Sequence, residues 1–347
     1  MSGRPNAAKL RHSDTATNNL LAAAGAAAPA AAAPVTSQRG RANSDSGLHL
    51  PTLAEIRVEA DRLGHLAKDR ALVVGERIRQ LLSFDDLDDE WLRHNPAIRS
   101  GYRNNFTFGE AVRSLFQLHN ETVNVWTHIL SAVWFLWLAY VEATTTDSWV
   151  IIIYLLGAVF LFLCSASFHN FTAMGVATSK ALVKLDYMGI LVQIALSFVT
   201  ALHFSFFCND DSRLVYQTII VVLCAVGAWV CLSPTFSRPD YATVRVIVFG
   251  AIISFAVFPL VHMVALHGIH GRETSELAIG FVWMVGFYLL GSIIYASRWP
   301  ESSWPGHFDT LGASHQLWHV CVTVAAYLHY TTLWHYREYR IEFGCPA

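Results

Sequence analysis

Charge is what this 347-residue chain has least of. Lys, Arg, Asp and Glu together make up 14% of it and hydrophobic residues 54%, where a soluble domain carries about a quarter of its residues charged. An ordinary soluble surface cannot be built from that mixture. The net charge of −2 offers no basic face for a phosphate backbone, so no nucleic acid is expected as a partner. Cysteine patterning is also missing. Cys164, Cys208, Cys224, Cys231, Cys321 and Cys345 include no CxxC or CxxxC pair. They read as scattered thiols rather than as a disulfide framework or a thiolate metal site. No repeat of 20 to 50 residues is visible, which argues against a repeat-built transporter or solenoid. A cleavable signal is not expected either. The first residues, Met1 to Pro5, are polar, and the stretch Leu20 to Val35 is mostly alanine without a leucine-rich core.

Residues 1–50 are rich in Ala, Pro and Ser and read as a disordered tail. Thr52-Leu53-Ala54-Glu55 then resembles a helix capping box. Behind it Leu53, Ile56, Leu63, Leu66, Val74, Ile78 and Leu81 recur at roughly helical spacing, with charged residues on the other face. Such an amphipathic helix either docks on its own membrane domain or binds a cytoplasmic partner. The acidic run Asp85 to Glu90 reads as a solvated turn or linker. Residues 51–113 are thus expected to form a cytoplasmic amphipathic helical segment and linker.

What the chain has in quantity is long apolar runs. Seven follow: Val123–Val141, Trp149–Phe168, Tyr187–Phe207, Leu214–Ser233, Val246–Ala265, Leu277–Ser297 and Leu317–Trp334. Each is near the ~20 residues that cross ~30 Å of hydrocarbon as a helix. Pro259 should kink the fifth. The expected fold is an all-α seven-transmembrane helical bundle over 114–335, with 336–347 as a short tail. Basic residues set its orientation. Arg93, Arg99, Arg103 and Arg113 precede the first span, and Lys180, Lys184, Arg238, Arg245 and Arg298 fall on the same side. Arg213, Arg272, Arg337 and Arg340 fall on the other. The bias favours a cytoplasmic N-terminus and an external C-terminus.

On this topology several polar residues share one depth. His169 ends the second span, Asp186 begins the third, and His315 and His319 open the seventh. His315 and His319 stand four apart, on one helical face. Three neutral imidazoles match the three protein ligands of a catalytic zinc site. Asp186 then suits an orienting or proton-accepting role, with Ser165 one turn before His169 on the same helical face. Glu121, Asn124 and His128 lie on one face of the first span at the same end. They either contact substrate or support the ligands, or else lock the bundle by interhelical hydrogen bonds. His203, His262 and His329 share the opposite, outer face and read as interface-level histidines.

Three stretches together resemble the progestin and adipoQ receptor family, which includes the adiponectin receptors and is related to the hemolysin III proteins. They are Ser114 to His128 (SLFQLHNETVNVWTH); Ser165 to His169 followed by Lys184 to Tyr187; and Pro305 to Asp309 followed by Ser314 to His319. Order and spacing match over roughly residues 90–345. Where the animal adiponectin receptors have a threonine and a glycine, this chain has Asn120 and Val123, closer to plant- and protist-type members. The resemblance implies a seven-helix bundle with the N-terminus inside, and zinc held by His169, His315 and His319 with Asp186 and Ser165 nearby. It also implies hydrolysis of a ceramide-like membrane lipid, with Asp186 as the base, and a role in lipid signalling, with the plasma membrane as the expected site. An extracellular ligand and a cytoplasmic partner of the N-terminal region are further expectations. Against this stands a receptor whose zinc is purely structural.

Overall fold

The computed structural model describes residues 57–65, 81–89, 91–146, 148–234 and 242–345. The expected tail and most of the amphipathic stretch lie outside these residues. A helix, α1, covers 57–65 with every residue exposed. No strand occurs among the described residues, only an isolated bridge between Leu82 and Tyr102.

The helices after it are α2 (Phe108–Arg113), α3 (Thr122–Thr145), α4 (Trp149–Phe171), α5 (Val176–Ser205), α6 (Asp210–Leu232), α7 (Ala242–Ser254), α8 (Val257–His267), α9 (Arg272–Ser297) and α10 (Ser314–Phe343). Six stretches, with α7 and α8 sharing one, are long and apolar enough to cross a membrane, and the 30-residue α10 is a seventh long helix in the bundle. The molecule is an all-helical membrane bundle. Its exterior agrees, because Leu130, Val133, Leu136, Trp137 and Tyr140 of α3 are exposed while Ala132, Phe135, Leu138 and Ala139 are buried. Water would penalise that outer face, whereas hydrocarbon accepts it.

Three spans differ in detail from the apolar runs. The fifth is broken into α7 and α8, with turns at Phe255 and Ala256. Pro259 explains the place: it has no N–H to give Phe255, four residues back, and its ring crowds that carbonyl. The third begins at Val176, eleven residues before the apolar run, on a polar and lysine-bearing stretch. Asp186 therefore lies ten residues, about 15 Å, along α5 rather than at its start. The last span stays helical to Phe343, so most of the expected tail is helix.

Helix α10 is the hub. It packs against α9, α3, α5 and α4. Glycine allows α9 to lie close on α10, since a Cβ on Gly291 would fall 2.7 Å from Cys321 and from the Trp318 ring, and one on Gly280 would collide with Thr332. Between α3 and α10 runs a polar seam. Ser131 meets Thr323 at 2.8 Å, and Tyr330 donates to the buried Glu142 at 2.7 Å, which also accepts from Thr146.

The acidic linker is folded rather than merely solvated. Asp86 closes a turn by accepting from the Ser83 amide and hydroxyl. Beyond it Leu87, Leu92, Ile98, Tyr102 and Ala313 form a small core of their own at the N-terminal end of α10. At the opposite end Cys208 is disulfide-bonded to Cys345, across 137 residues of sequence. This corrects the expectation of scattered thiols. Neither cysteine has a local partner, and only the docking of the end of α10 beside the α5–α6 turn brings them together. Arg340 holds that junction by donating to the Phe204 and Ser205 carbonyls at the end of α5. The remaining described cysteines, Cys164, Cys224, Cys231 and Cys321, are buried and outside any disulfide.

Candidate metal centre

Three histidines from two helices meet at one end of the bundle. One ligand atom from each of His169, His315 and His319 lies within 4.8 Å of the others. His169 and His319 are buried and His315 partly so. His315 Nε2 stands 3.2 Å from His169 Nε2. Two nitrogens at the edge of a tetrahedron with metal–nitrogen bonds of about 2.0–2.1 Å are separated by about 3.3 Å. The spacing therefore fits a shared cation.

On His169 and His319 the other ring nitrogen is already engaged, which fixes which of their atoms face the site. His169 Nδ1 is 2.7 Å from Glu121 Oε2, and that oxygen also accepts from Asn124 Nδ2 at 2.6 Å. His319 Nδ1 is 3.1 Å from the Asn124 carbonyl and 3.3 Å from Thr127 Oγ1. Because Thr127 already donates to the Val123 and Asn124 carbonyls, Nδ1–H of His319 is assigned as the donor. With both Nδ1 atoms protonated, Nε2 of each ring carries the lone pair. A carboxylate on one histidine and a carbonyl on another is the usual second layer of a histidine metal site. So Glu121 and Asn124 hydrogen-bond two of the clustered histidines across helices, while His128 makes no hydrogen bond among the described residues.

Asp186 and Ser165 come from the antiparallel register of α4 and α5. The same register sets Gly189 against Leu161 and Gly157 against Gln193. It places Asp186 near Ser165, with His169 within electrostatic reach. Asp186 is not one of the three converging ligands. His128 stacks face to face on His319, with ring centroids 3.7 Å apart and planes 6° apart.

Sequence reasoning missed the residues that hold the ligand helices from outside. Glu301 is fully buried and caps α10, accepting from the Ser314 amide at 2.7 Å, from the Ser314 hydroxyl, and from Asn95 Nδ2. Arg103 is buried at the end of α4, donating to the His169 carbonyl at 2.9 Å and to Ser114 Oγ at 2.5 Å. Burial lowers it to about 10, opposed by Glu121, so it stays charged at neutral pH. His119 is locked between the Ser114 carbonyl and the Glu121 amide. The one available signal was polarity in short segments flanking the apolar runs, which does not say what each residue meets.

The outer histidines do not converge. His203 packs on Trp149, His262 meets Tyr216 at 3.2 Å, and His329 meets the Ser197 carbonyl at 3.1 Å. Among the described residues they form no metal cluster. A cavity of about 80 Å³, lined by Phe198, Leu202, Met263, Phe281 and His329 among others, lies in this half of the bundle. His329 is ten residues, about 15 Å along α10, from His319, so the cavity is remote from the histidine cluster.

Residues 116–330 match the family model described as haemolysin-III related. The chain belongs to that family. It is 32% identical over 276 residues to the progestin and adipoQ receptor-like protein 1 of Caenorhabditis elegans, covering 77% of this chain and 63% of that protein. It is 31% identical over 264 residues to the adiponectin receptor protein of Drosophila melanogaster, covering 74% and 59%. It is 30% identical over 301 residues to heptahelical transmembrane protein 3 of Arabidopsis thaliana, covering 74% and 87%. The chain thus spans about three fifths of the length of the nematode and fly relatives. The resemblance carried by the three motifs holds: this is an adiponectin receptor-like, multi-pass integral membrane protein with a buried histidine cluster able to hold a metal ion.

Proposed function

We propose that the protein is a zinc-dependent amidohydrolase of ceramide-like membrane lipids that acts in lipid signalling. The observation that carries this is the pairing of three clustered histidines with a separate carboxylate, Asp186, that lies near Ser165 and is not one of the three. His169, His315 and His319 would hold the ion. When bound, zinc supplies Lewis-acid polarisation of a carbonyl and makes water acidic near neutral pH. Asp186 takes the proton of the attacking water and Ser165 holds its carboxylate in place. Water adds to the amide carbon, the C–N bond breaks, and the proton passes to the leaving amine, giving a carboxylic acid and an amine. The histidine end is assigned to the cytoplasm and the C-terminus to the outside. The basic residues before α3 support this, as does the Cys208–Cys345 disulfide at the other end, a bond typical of an oxidising compartment. The plasma membrane is the proposed site, with a lipid as substrate.

A signalling receptor with structural zinc is the second reading. It is favoured by the closeness of Asp186 to His169, which would let a carboxylate close a four-ligand shell. Asp186→Ala separates the two. The purified variant is assayed for bound zinc and for chelator-sensitive release of fatty acid from a labelled ceramide panel. The hydrolase reading expects zinc retained and release lost. Zinc lost together with the fold's stability supports the structural reading, and unchanged release removes Asp186 as the base.

A further inference from the structure

Beside the metal ligands lies a niche whose hydrogen-bonding capacity is unused. His128 is 3% exposed and Asn124 is 5% exposed. They sit four residues apart on α3, on one face. Both ring nitrogens of His128, and Asn124 Oδ1, are buried without a partner among the described residues. Buried polar atoms are nearly always paired, and an unpaired one costs roughly 1–3 kcal/mol. Three such atoms in one turn of helix, two of them on a ring stacked against His319, do not belong to packing residues in the ordinary sense. The ring also packs on Phe162, with centroids 5.1 Å apart.

The inventory of the niche defines what it can take. A neutral imidazole offers one N–H and one lone pair. Asn124 has one amide hydrogen committed to Glu121, and its Oδ1 is an acceptor. Its unpartnered atoms therefore present one donor and two acceptors, beside the second amide hydrogen of Asn124. A carbonyl or ester oxygen would satisfy the donor alone and leave both acceptors bare. A carboxylate would face two acceptors. A hydroxyl, or a secondary amide with its N–H and C=O, meets both kinds of group.

We infer that His128 and Asn124 form a specificity niche that recognises a hydrogen-bond-donating group of the lipid, a secondary amide N–H or a hydroxyl, next to the metal site. This rests on the proposed lipid-binding role of that site and names the chemistry it selects. It makes the protein discriminate against lipids of the same shape that lack the donor.

Binding rather than turnover tests it, so that failure of hydrolysis and failure of the niche are told apart. Full-length zinc-loaded protein in detergent is titrated with four probes, read by thermal stabilisation. These are a long-chain N-acyl amino alcohol, its N-methyl amide, its O-methyl ether and the matching ester. Wild type should bind the probe lacking the recognised donor about ten-fold more weakly than the parent. Whether the N-methyl or the O-methyl probe weakens identifies the donor as amide or hydroxyl. His128→Phe keeps the ring stack and should remove the difference at unchanged zinc content, and His128→Gln should restore part of it. Equal binding of all four probes by wild type overturns the inference, as does a difference that persists undiminished in His128→Phe. If that variant does not fold, the wild-type and His128→Gln series decide. Loss of all hydrolysis with the discrimination intact would sink the hydrolase reading and leave the niche standing.

Discussion

Replacing Glu121 by alanine should weaken metal binding although Glu121 is not one of the three converging residues. Its Oε2 accepts from His169 Nδ1 at 2.7 Å, with the side chains only 16% and 5% exposed. A buried, charge-assisted hydrogen bond of that length contributes about 1.5–3 kcal/mol. It does so by holding one tautomer and one ring orientation, so that Nε2 presents its lone pair. Removing it leaves His169 free to turn and to shift its proton to the wrong nitrogen. Affinity should therefore fall by about 10- to 100-fold, or about 1.4–2.7 kcal/mol. Glu121→Gln keeps an acceptor oxygen and should lose less, roughly ten-fold at most. His169→Ala removes a ligand outright and should exceed both. The assay is competition with a chromophoric chelator on purified protein in detergent, with helicity measured in parallel. Zinc affinity within two-fold of wild type for Glu121→Ala would refute the assignment of Nε2 as the ligand atom of His169.

Other outcomes follow from the same geometry. His315→Ala and His319→Ala should each cut bound zinc sharply, and a folded triple variant with His169→Ala should hold none in stoichiometric amount by elemental analysis. Glu301→Ala strips the Ser314 amide and hydroxyl and Asn95 of their acceptor; thermal unfolding should show a loss of about 2 kcal/mol together with weaker metal binding, and Glu301→Gln should recover part of both. Burial, and next the Arg103 charge, push His119 down to about 3, so it is neutral in the fold while the unfolded chain gains a proton below about 6.5. Stability contributed by His119 is thus present above pH 6.5 and is lost as pH falls from there toward 3, with a slope approaching ~1.4 kcal/mol per pH unit. A His119→Gln variant should unfold with a shallower dependence over that window, and an unchanged slope would remove His119 from the account. Chain cut by protease between Cys208 and Cys345 should stay as one species on a non-reducing gel and separate with reductant.

The bundle was legible because its signal is local. A span needs only about twenty apolar residues in a row, and hydrocarbon leaves the backbone no choice but helix. Alternation of spans then put His169, His315 and His319 at one depth with no knowledge of packing. The i, i+4 spacing of His315 and His319 settled their shared face. Pro259 marked the break between α7 and α8 for the same local reason. Polar stretches gave less, because their structure depends on what they meet. The eleven residues before Tyr187 carry lysines and no apolar run, yet they are the first three turns of α5. The acidic run near Asp86 was legible as a turn, but not as the entry to the small core around Leu87 and Tyr102.

By itself, then, the sequence determined that the bundle is built of long apolar helices, six of them among the described residues, the end of the bundle where polar chemistry gathers, and the three histidines that meet there. Tertiary structure alone decided how those histidines are aimed. Glu121 on His169, Asn124 on His319, Glu301 under Ser314 and Arg103 on the His169 carbonyl are single contacts, most of them between distant segments, and none recurs with any period. The Cys208–Cys345 bond is of the same kind. Periodicity reports the face on which a residue lies. Which atom it meets across that face depends on helix register and rotation, and these are set only when all the helices pack at once.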